Sequence, residues 1–543
     1  MKKTFKLLSC VLSLLVCITT FSSLVGCGKK IENSAIYDDP KVPNIYYYYY
    51  DGDGEKNWLF DAAIEFNKTI SDYEIIPFAT LNEEYALNLA ANGGDANIMT
   101  ITHPDIDNLI KDEDIVDLSD ILAKDVDGNG VKLKDKFNDL DAIKAQYSTS
   151  ASKGLYGVPL SYSPQHLIFD FDLFKSQGWL IYQKDGYGAP VRDSEGNLVL
   201  SVGHDGKAGT YDDGQPVDIA EWDEMLERIK VATNTKAFIY TTKYPFYIEP
   251  LVTALIAQYG GYDEVISIFS GYGSYTDATG TKVDVAIENG YDMYKAPSIL
   301  KAMEFMKKYL INKDYVHERC WDTTGFTHDD AMKTFVTGYR EEIQQAAFLI
   351  EGNSFETSLK YYFNQLEEVG DAGRGYGDRE YRYMLLPHFG DDTISYLSAQ
   401  SLGTVVVSAD SNERKVQISK DFIAYTLQDK YLQQYTLDTG EVRPLKFKLT
   451  TEQEAQLTPF QRSAIAMQQD TEHVKVLSSL DYAEKDAEKN GLITFKGNGY
   501  QYTASFSEGN IERVLMALMR KSPQDYVNGI YDFRKKTIWG VVD

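Results

Sequence analysis

The sequence predicts an α/β fold with at least two lobes, and three observations lead to this prediction. The chain has 543 residues, far more than one average domain holds. Segments with the pattern of β-strands alternate with segments of helical periodicity about 10–15 residues long, an order typical of α/β folds. Apolar residues make up 43% and charged residues 25%, which is the composition of a globular protein.

The first β-α-β unit is predicted near the start of the globular part. Residues 45–50 are rich in the strand former Tyr and end at the turn signal Asp-Gly-Asp-Gly of residues 51–54. Apolar residues then recur at helical spacing between Leu59 and Ile70. Residues 97–101 (Asn-Ile-Met-Thr-Ile) predict the next strand.

Strands and helices continue to alternate along the rest of the chain. Helical faces are predicted by Trp222, Met225, Leu226 and Ile229, by Ile299, Met303, Met306 and Leu310, and by Ile418, Phe422 and Tyr425. Strands are predicted at 167–170, 347–350, 383–386 and 404–408. Three turn-rich stretches, 181–218, 262–296 and 365–380, are predicted to be surface loops or small subdomains.

The first 41 residues indicate export and a lipid anchor. A basic start and an apolar stretch over residues 7–18 have the layout of a signal peptide. The sequence Leu-Val-Gly-Cys at 24–27 resembles the bacterial lipoprotein box, which implies cleavage after residue 26 and lipidation of Cys27. Residues 1–26 are then the signal peptide and 27–41 the lipidated cysteine and its tether. The alternative is an uncleaved anchor in which Cys27 is an ordinary apolar residue.

Charge and cysteine content exclude several classes of function. Asp and Glu number 81 against 54 Lys and Arg, so the net charge of −27 disfavours nucleic-acid binding. Loss of the three signal-peptide lysines lowers the net charge to −30, so the acyl chains rather than electrostatic attraction would hold the protein on the membrane. Beyond Cys27 only Cys320 remains, which rules out a disulfide framework. One interpretation of His317 and Cys320 is half of a metal site. The alternative is that Cys320 is a buried, inert thiol.

Seven short motifs follow one another in one order between residues 43 and 445. They are the helix at 58–67, the Gly-rich segment 89–102, the pair 154–159 and 167–174, the helix at 219–226, the pair 335–338 and 350–355, the pair 401–403 and 422–425, and Thr439-Gly440 with Pro444. In this order they resemble the extracellular solute-binding proteins of bacterial ABC importers, in the broad family that mostly carries sugars. The chain departs from that family's pattern where Phe169-Asp170 replaces Tyr-Asn and Phe355 replaces Trp.

The resemblance implies a two-lobed clam-shell of the periplasmic-binding-protein type II, joined by hinge crossovers near 166–168, 400–404 and 443–446. The N-lobe would comprise residues 42–166 plus 404–443. The C-lobe would comprise residues 167–400 plus 448–543, although 448–543 match no motif of the family. Solute would bind between the lobes, which close on it by a hinge movement.

The function implied is capture of a carbohydrate in the interlobe cleft and its delivery to membrane permease subunits, by a monomer at the outer face of the cytoplasmic membrane. No catalysis and no cofactor are implied. Few basic residues flank the expected cleft, Arg443 being the exception, so a neutral oligosaccharide is favoured over an acidic one. The alternatives are the same fold binding a peptide or another solute, and a secreted glycosidase.

Ligands of open α/β sheets bind beyond the carboxyl ends of the strands. The candidate ligand-binding residues are therefore those that follow predicted strands or flank crossovers. Aromatic rings there would stack on the C–H faces of a sugar, and amides, carboxylates and Arg would bind its hydroxyls. Core packing is the alternative for any single aromatic residue. The candidates are Tyr50, Asp51, Trp58, Gly94, Asp95, His103, Tyr162, Gln165, Tyr244, Tyr247, Trp321, Asn353, Phe355, Ser401 and Arg443.

One acidic loop is a candidate for structural Ca²⁺. Asp125, Asp127 and Asn129 match the first positions of an EF-hand loop, with Lys136 where the pattern has Glu. A solvated turn rich in Asp, Asn and Gly is the alternative interpretation. The stretch 205–213 has a similar but weaker pattern.

Overall fold

The computed structural model describes residues 42–50, 57–80, 87–89, 94–101, 106–148, 152–243, 247–322, 324–340, 342–390, 392–401, 403–410, 412–477, 511–537 and 539–541. The predicted signal peptide, Cys27 and the tether lie outside these residues, as do Asp51, His103 and Tyr244 among the candidate ligand-binding residues.

The described strands, numbered in chain order, are β1 (Asn44–Tyr50), β2 (Glu74–Thr80), β3 (Ala96–Ile101), β4 (Val158–Pro159), β5 (Tyr162–Pro164), β6 (His166–Asp170), β7 (Thr235–Ile239), β8 (Gly273–Thr276), β9 (Lys282–Val285), β10 (Gln345–Glu351), β11 (Tyr381–Met384), β12 (Ser395–Ser401), β13 (Thr404–Val407) and β14 (Val474–Leu477).

The described α-helices are α1 (Asn57–Asn67), α2 (Ile106–Lys111), α3 (Leu133–Lys136), α4 (Leu140–Gln146), α5 (Phe171–Gln177), α6 (Ile219–Lys230), α7 (Glu249–Gly260), α8 (Tyr262–Ser270), α9 (Pro297–Phe305), α10 (His328–Thr337), α11 (Phe355–Ser358), α12 (Lys360–Glu368), α13 (Glu413–Tyr425), α14 (Asp429–Thr439), α15 (Thr451–Glu454), α16 (Pro459–Gln469), α17 (Ile511–Arg520) and α18 (Pro523–Thr537). Among the residues that the structure describes, no helix has the length and apolar character needed to cross a lipid bilayer.

The first sheet has five strands in the order β2-β1-β3-β13-β4. β1 runs parallel to β2 and β3, whereas β13 runs antiparallel to β3 and β4. Thr404, at the start of β13, lies opposite both Ile101 and Pro159. The carboxyl ends of β1, β2 and β3 therefore lie at the edge where β4 ends and β13 begins.

The second sheet has four strands in the order β11-β6-β10-β7. β10 is parallel to β7, and β6 is antiparallel to both β10 and β11. His166, at the start of β6, lies opposite Glu351 at the end of β10, and Leu167 lies opposite Met384 at the end of β11. The carboxyl ends of β7, β10 and β11 therefore lie at the edge where β6 begins.

Two crossing segments connect these edges. The chain leaves the first sheet through β4 and β5 and enters the second through β6, and it returns through β12 and β13. β5 and β12 pair antiparallel, with Ser401 opposite Tyr162 and Ala399 opposite Pro164, and β14 extends this small sheet. Because both crossings join carboxyl edges, the carboxyl edges of the two main sheets face the same connecting strands.

Buried apolar residues form two clusters, one around each main sheet. The first cluster draws on segments 45–158 and 405–445, where Phe422 packs edge-on against Phe66 at 5.3 Å. The second draws on segments 167–397 and 460–530. In it the fully buried Trp222 stacks on Phe348 of the central strand at 6.0 Å.

The α/β class predicted from the sequence is confirmed, as are the predicted strands at 45–50 and 167–170 and the helix whose buried face contains Trp222. The helical face predicted by Ile299, Met303, Met306 and Leu310 is interrupted, because α9 ends at Phe305 and a π-helical turn follows. The stretch 262–296 contains α8 and the hairpin β8-β9, so it is an ordered subdomain rather than a loop.

Candidate ligand-binding site

Three chain segments meet through buried hydrogen bonds where the carboxyl edges face each other. The Ser163 hydroxyl, on the first crossing segment, donates to Glu441 Oε1 at 3.1 Å. The Asn353 side chain, directly after β10, donates from Nδ2 to Glu441 Oε2 at 2.9 Å, and its backbone N–H donates to Ser163 Oγ at 3.1 Å. Glu441 thus ties a third segment, after α14, to both main sheets.

The position of Asn353 is set by its neighbours in the second sheet. The hydroxyl of Tyr383 on β11 donates to Asn353 Oδ1 at 2.8 Å. Burial, with the nearby carboxylates of Glu441 and Glu351, raises the pKa of Tyr383 far above its usual value, so the hydroxyl remains a donor. Gly352 lies close to the first crossing segment. A Cβ at this position would lie 2.4 Å from Gln165 Nε2.

Two aromatic rings and an arginine pack together beside the first sheet and are almost fully buried: Trp58 is 2% exposed, Tyr435 5% and Arg443 1%. Trp58 therefore presents little of its ring to a ligand. Trp58 near the start of α1 packs edge-on against Tyr435 of α14 at 5.4 Å. Its backbone N–H donates to Asp438 Oδ2 at 2.8 Å, which joins α1 to α14. The Arg443 guanidinium lies 5.8 Å from the Trp58 ring and 5.9 Å from the Tyr435 ring.

Several buried polar atoms in these segments and in the first crossing segment have no hydrogen-bond partner in the protein. Such atoms are rare in folded proteins, and these are closed off from solvent. Burial lowers the pKa of His166 to about 3, so its ring is neutral and one of its nitrogens is an acceptor. The atoms are Trp58 Nε1, Gln165 Oε1, both ring nitrogens of His166, Thr436 Oγ1, and Nε and Nη2 of Arg443.

Trp321 provides an accessible aromatic ring at the carboxyl end of β7. It ends the 3₁₀ turn Glu318–Trp321 and is half-buried. The turn is fixed beside β7 because the Thr242 hydroxyl donates to the Cys320 carbonyl at 2.8 Å, and His317 N–H donates to the Phe238 carbonyl at 2.9 Å.

Three other candidates lie on the crossing strands or at the carboxyl edge of the first sheet, and a fourth, Tyr247, precedes α7. Tyr162 is half-buried and lies opposite Ser401, so both are on the crossing strands. Tyr50 is the last residue of β1, at the carboxyl edge. Tyr247 is 9% exposed and stacks on the His328 ring at 5.1 Å, which leaves little of its face for a ligand.

The structure corrects the expected positions of Gly94 and Asp95. Both residues precede β3, so they lie at its amino end, the edge opposite the crossing segments. Asp95 forms an ion pair with Lys415 at 3.2 Å and lines a separate surface pocket of 380 Å³ with Tyr73 and Asn412. Residues that precede a strand and residues that follow it lie at opposite edges of a parallel sheet, and only the carboxyl edge is the expected ligand site. A motif match does not show on which of the two edges a residue lies.

Phe355 also differs from its expected role. It is fully buried and packs edge-on against Tyr381 at 5.1 Å, Phe460 at 5.8 Å and Phe335 at 5.9 Å. The ring belongs to the core of the second cluster and presents no face to a ligand.

Four polar residues of this region were missed from the sequence. Ser163 and Glu441 lie just before the crossovers predicted at 166–168 and 443–446, close to the nominated Tyr162 and Arg443, so an inventory of polar residues next to those crossovers would have found them. Tyr383 and Tyr435 gave no signal, because a Tyr in a strand or on a helical face resembles ordinary core packing.

Solved structures of similar shape span nearly the whole chain. A chitin oligosaccharide-binding protein is 14% identical over 92% of this chain and 100% of its own, with a TM-score of 0.56. RafE from Streptococcus pneumoniae is 13% identical over 91% of this chain and 98% of its own, with a TM-score of 0.53. A probable secreted solute-binding lipoprotein from Streptomyces coelicolor is 11% identical over 91% of this chain and 99% of its own, with a TM-score of 0.57.

The chain has the fold of a solute-binding protein. No family model matches the sequence, and neither does any curated protein sequence. At identities of 11–14% the similarity establishes the fold of the chain. The predicted two-lobed class is therefore confirmed at the level of architecture.

In this solute-binding-protein fold, the acidic loop that was a candidate for Ca²⁺ is bound by the ammonium group of Lys136. Lys136 Nζ donates to Asp127 Oδ2 at 2.6 Å and is almost fully buried. Asp125 accepts backbone N–H bonds from Asn129 at 3.1 Å and Gly130 at 2.7 Å, the pattern of an Asp turn. The lysine ammonium thus neutralises one of the carboxylates that the EF-hand pattern would assign to Ca²⁺.

The other two metal candidates are engaged in local bonds. In the stretch 205–213, Asp212 Oδ2 accepts the backbone N–H groups of His204 at 2.6 Å and Asp205 at 2.9 Å. Burial raises the pKa of the Cys320 thiol to about 12, so it remains protonated and unreactive. Within the described ranges, no group of three or more His, Cys, Asp or Glu side chains is arranged to hold a metal ion.

Proposed function

We propose that this protein is the carbohydrate-binding component of an ABC importer, which captures a saccharide between its two lobes and delivers it to membrane permease subunits. One observation carries the proposal: the carboxyl edges of two α/β sheets face the same paired crossing strands. In α/β proteins this position, beyond the carboxyl ends of the strands, is where ligands bind.

Binding rather than hydrolysis is supported by the state of the carboxylates at this position. Glu441 accepts from Ser163 and from Asn353, one bond to each oxygen. Glu351 accepts from the backbone N–H of Gly352 at 3.0 Å. A glycosidase needs one carboxyl group free to donate a proton and a second free to attack or to activate water. Glu441 instead joins Ser163 of the first crossing segment to Asn353 after β10.

A saccharide rather than a peptide is supported by the groups that line the edges. Trp321, at the carboxyl end of β7, and Tyr162, on the first crossing strand, are half-buried aromatic residues. Peptides that bind by strand addition need an exposed strand edge, whereas β5 and β12 already pair with each other. Among the structural neighbours, RafE is known in complex with raffinose, and another is linked to xylan utilization in Caldanaerobius polysaccharolyticus.

The cellular setting follows from residues outside the described part of the chain. Cleavage before Cys27 and its lipidation would hold the protein at the outer face of the cytoplasmic membrane. The tether of residues 27–41 would then leave the lobes free to reach the permease. One clam-shell suffices for capture and release, so the protein would act as a monomer.

A ligand screen tests the proposal directly. We expect oligosaccharides to raise the melting temperature of the chain from residue 28 onwards, because ligand at 100 times its Kd adds about 2.7 kcal/mol of apparent stability. Short peptides should leave the melting temperature unchanged. A shift with peptides alone would keep the fold and overturn the substrate, and release of reducing sugar during incubation would support the glycosidase alternative.

Replacement of Trp321 tests its role as a stacking surface. Trp321→Ala should weaken saccharide binding by about tenfold, because the ring contributes face contacts to the sugar. Isothermal titration calorimetry measures the change. Tyr361→Ala is the matched control, since that ring is 75% exposed on α12, and its Kd should equal that of the wild type. Equal Kd values for both variants would remove Trp321 from the site.

A further inference from the structure

Two histidines and a serine form a polar cluster at the start of a crossing strand. His204 belongs to the stretch 181–218 and is 7% exposed, His388 follows β11, and the fully buried Ser395 begins β12. The two imidazole rings are nearly perpendicular, with Nδ1 of His204 3.1 Å from Nε2 of His388. The Ser395 hydroxyl oxygen lies 3.1 Å from the first of these nitrogens and 3.3 Å from the second. The cluster thus joins an inserted stretch of chain to β12.

The hydrogen bonds of the cluster assign its protons. Nε2 of His204 lies 3.0 Å from the carbonyl oxygen of Pro216, which can only accept, so this nitrogen carries a hydrogen. In a neutral His204 ring, Nδ1 is then an acceptor. It lies opposite Nε2 of His388, which therefore donates to it. The bond between the two rings forms when both rings are neutral.

An added proton disrupts this arrangement. On His204 it would occupy Nδ1, where the bond between the rings needs an acceptor, and two N–H groups would then face each other across 3.1 Å. Burial, with the nearby His388 ring, lowers the pKa of His204 to about 3. Burial also lowers the pKa of His388, against the attraction of Asp392. Both rings therefore stay neutral in the folded protein at a pH where exposed histidines ionise.

The carboxylates around the cluster do not pair with the rings. Among the described residues, none forms an ion pair with His204 or His388. Asp392 is exposed and accepts the Tyr396 hydroxyl at 2.9 Å, and Asp212 accepts the backbone N–H of His204 rather than its ring. The other titratable side chains on the segments packed around the cluster are Asp205, Asp218, Glu221, Tyr259, Asp470 and His473.

We propose that His204, His388 and Ser395 form a pH-sensitive catch that holds the start of β12 against the stretch 181–218 at neutral pH and releases it in mild acid. Once the segments separate, solvent reaches both rings, which then take up protons that the closed catch excludes. The closed form therefore loses stability as the pH falls below about 6.5. Because β12 carries the chain between the two main sheets, release loosens one of the crossing segments. The catch acts in the ligand-free chain, so the inference goes beyond the proposed function.

Hydrogen exchange tests the proposal on the ligand-free chain from residue 28 onwards. Mass spectrometry follows the backbone amides of residues 395–401 at pH 7.5 and pH 5.5, with rates corrected for the intrinsic effect of pH. We expect exchange of this segment to be at least about tenfold faster at pH 5.5, one pH unit below the usual pKa of an exposed histidine. Residues 345–351 of β10 should exchange equally at both pH values. Unchanged exchange at 395–401, or equal acceleration in β10, would overturn a local catch.

Variants assign the effect to the two rings. His388→Gln keeps a side chain that can donate to His204 and is neutral at every pH, so it should reduce the acceleration in acid. The double variant His204→Gln/His388→Gln should abolish the acceleration, and its persistence there would contradict the proposal. His328→Gln, at the start of α10, is the control and should show the wild-type acceleration. If the double variant fails to fold, His388→Gln and the two wild-type segments still decide the question.

Discussion

Glu356 illustrates how burial changes the chemistry of a single residue. The side chain is 1% exposed on α11, and its Oε2 accepts a hydrogen bond from the Thr458 hydroxyl at the start of α16. Its other oxygen has no partner in the protein. Burial raises the pKa of Glu356 from 4.5 to about 7. The carboxyl is therefore neutral in the folded protein over a pH range in which it is ionised in the unfolded chain.

This shift makes stability depend on pH in a definite direction. Between pH 4.5 and about 7 the folded state keeps a proton that the unfolded state releases, so the contribution of Glu356 falls as the pH rises. Glu356→Gln keeps the side chain neutral at every pH. We expect it to raise the free energy of unfolding by about 3 kcal/mol at pH 8 relative to wild type, and by much less at pH 4.5.

Urea denaturation of both proteins at the two pH values measures this effect. Glu454→Gln, on the exposed face of α15, is the control and should leave the pH dependence as in wild type. A Glu356→Gln variant with the same difference from wild type at pH 4.5 and pH 8 would show that Glu356 titrates normally.

At the scale of elements, the acidic loop before α3 depends on a lysine at the end of that helix. Lys136 Nζ donates to Asp127 Oδ2 and to Asp429 Oδ1, each at 2.6 Å, and to the Leu427 carbonyl at 3.0 Å. Asp127 in turn accepts the backbone N–H of Asp429 at 2.8 Å. The loop is thus joined to the start of α14, the helix that carries Tyr435.

Removal of that lysine should destabilise the protein. Lys136→Met leaves the Asp127 carboxylate, whose side chain is only 13% exposed, without its cation. We expect a loss of about 3 kcal/mol in the free energy of unfolding, as for other buried pairs that lose one partner. Urea denaturation measures it, and Lys134→Met, exposed on the same helix, should cost little. A Ca²⁺-dependent rise in the melting temperature of wild type, absent in Asp127→Asn, would instead support a metal in this loop.

At the scale of the molecule, the two clusters of buried residues are joined by crossing segments that pack closely at Gly352. A Cβ at this position would lie 2.4 Å from Gln165 Nε2 and 3.0 Å from Ser163 Oγ. A side chain at residue 352 would therefore have to displace the Gln165 amide and the Ser163 hydroxyl. If the two lobes move relative to each other, these contacts lie where their connecting segments meet.

Gly352→Ala should impair closure of the lobes on a ligand. The added methyl group pushes β10 away from the crossing strand and weakens the bonds of Asn353, so we expect about tenfold weaker saccharide binding. Small-angle X-ray scattering should show a smaller ligand-induced decrease in the radius of gyration than for wild type. Gly390→Ala is the control, because a Cβ there meets nothing within 4 Å. Wild-type contraction in Gly352→Ala would show that this contact does not limit closure.

The sequence by itself determined the class of fold and most of its elements. The Trp222 face of α6 and the Tyr-rich strand β1 were predicted because helical and strand periodicities are local, written in residues a few positions apart. The division into lobes and the set of ligand-binding residues remain predictions, although Asn353, Gln165 and Arg443 all lie near the crossing segments.

Only the tertiary structure decided which polar residues share one place. Ser163 and Glu441 are 278 residues apart in sequence, and the packing of their segments brings them into hydrogen-bond contact. The direction of β3 places Asp95 at the far edge of its sheet, although its motif resembled that of a cleft residue. The sequence likewise does not show whether a carboxylate lies next to Arg443, because that depends on which residues the fold places around it. Sheet order, strand direction and burial act over distances that local sequence patterns do not encode.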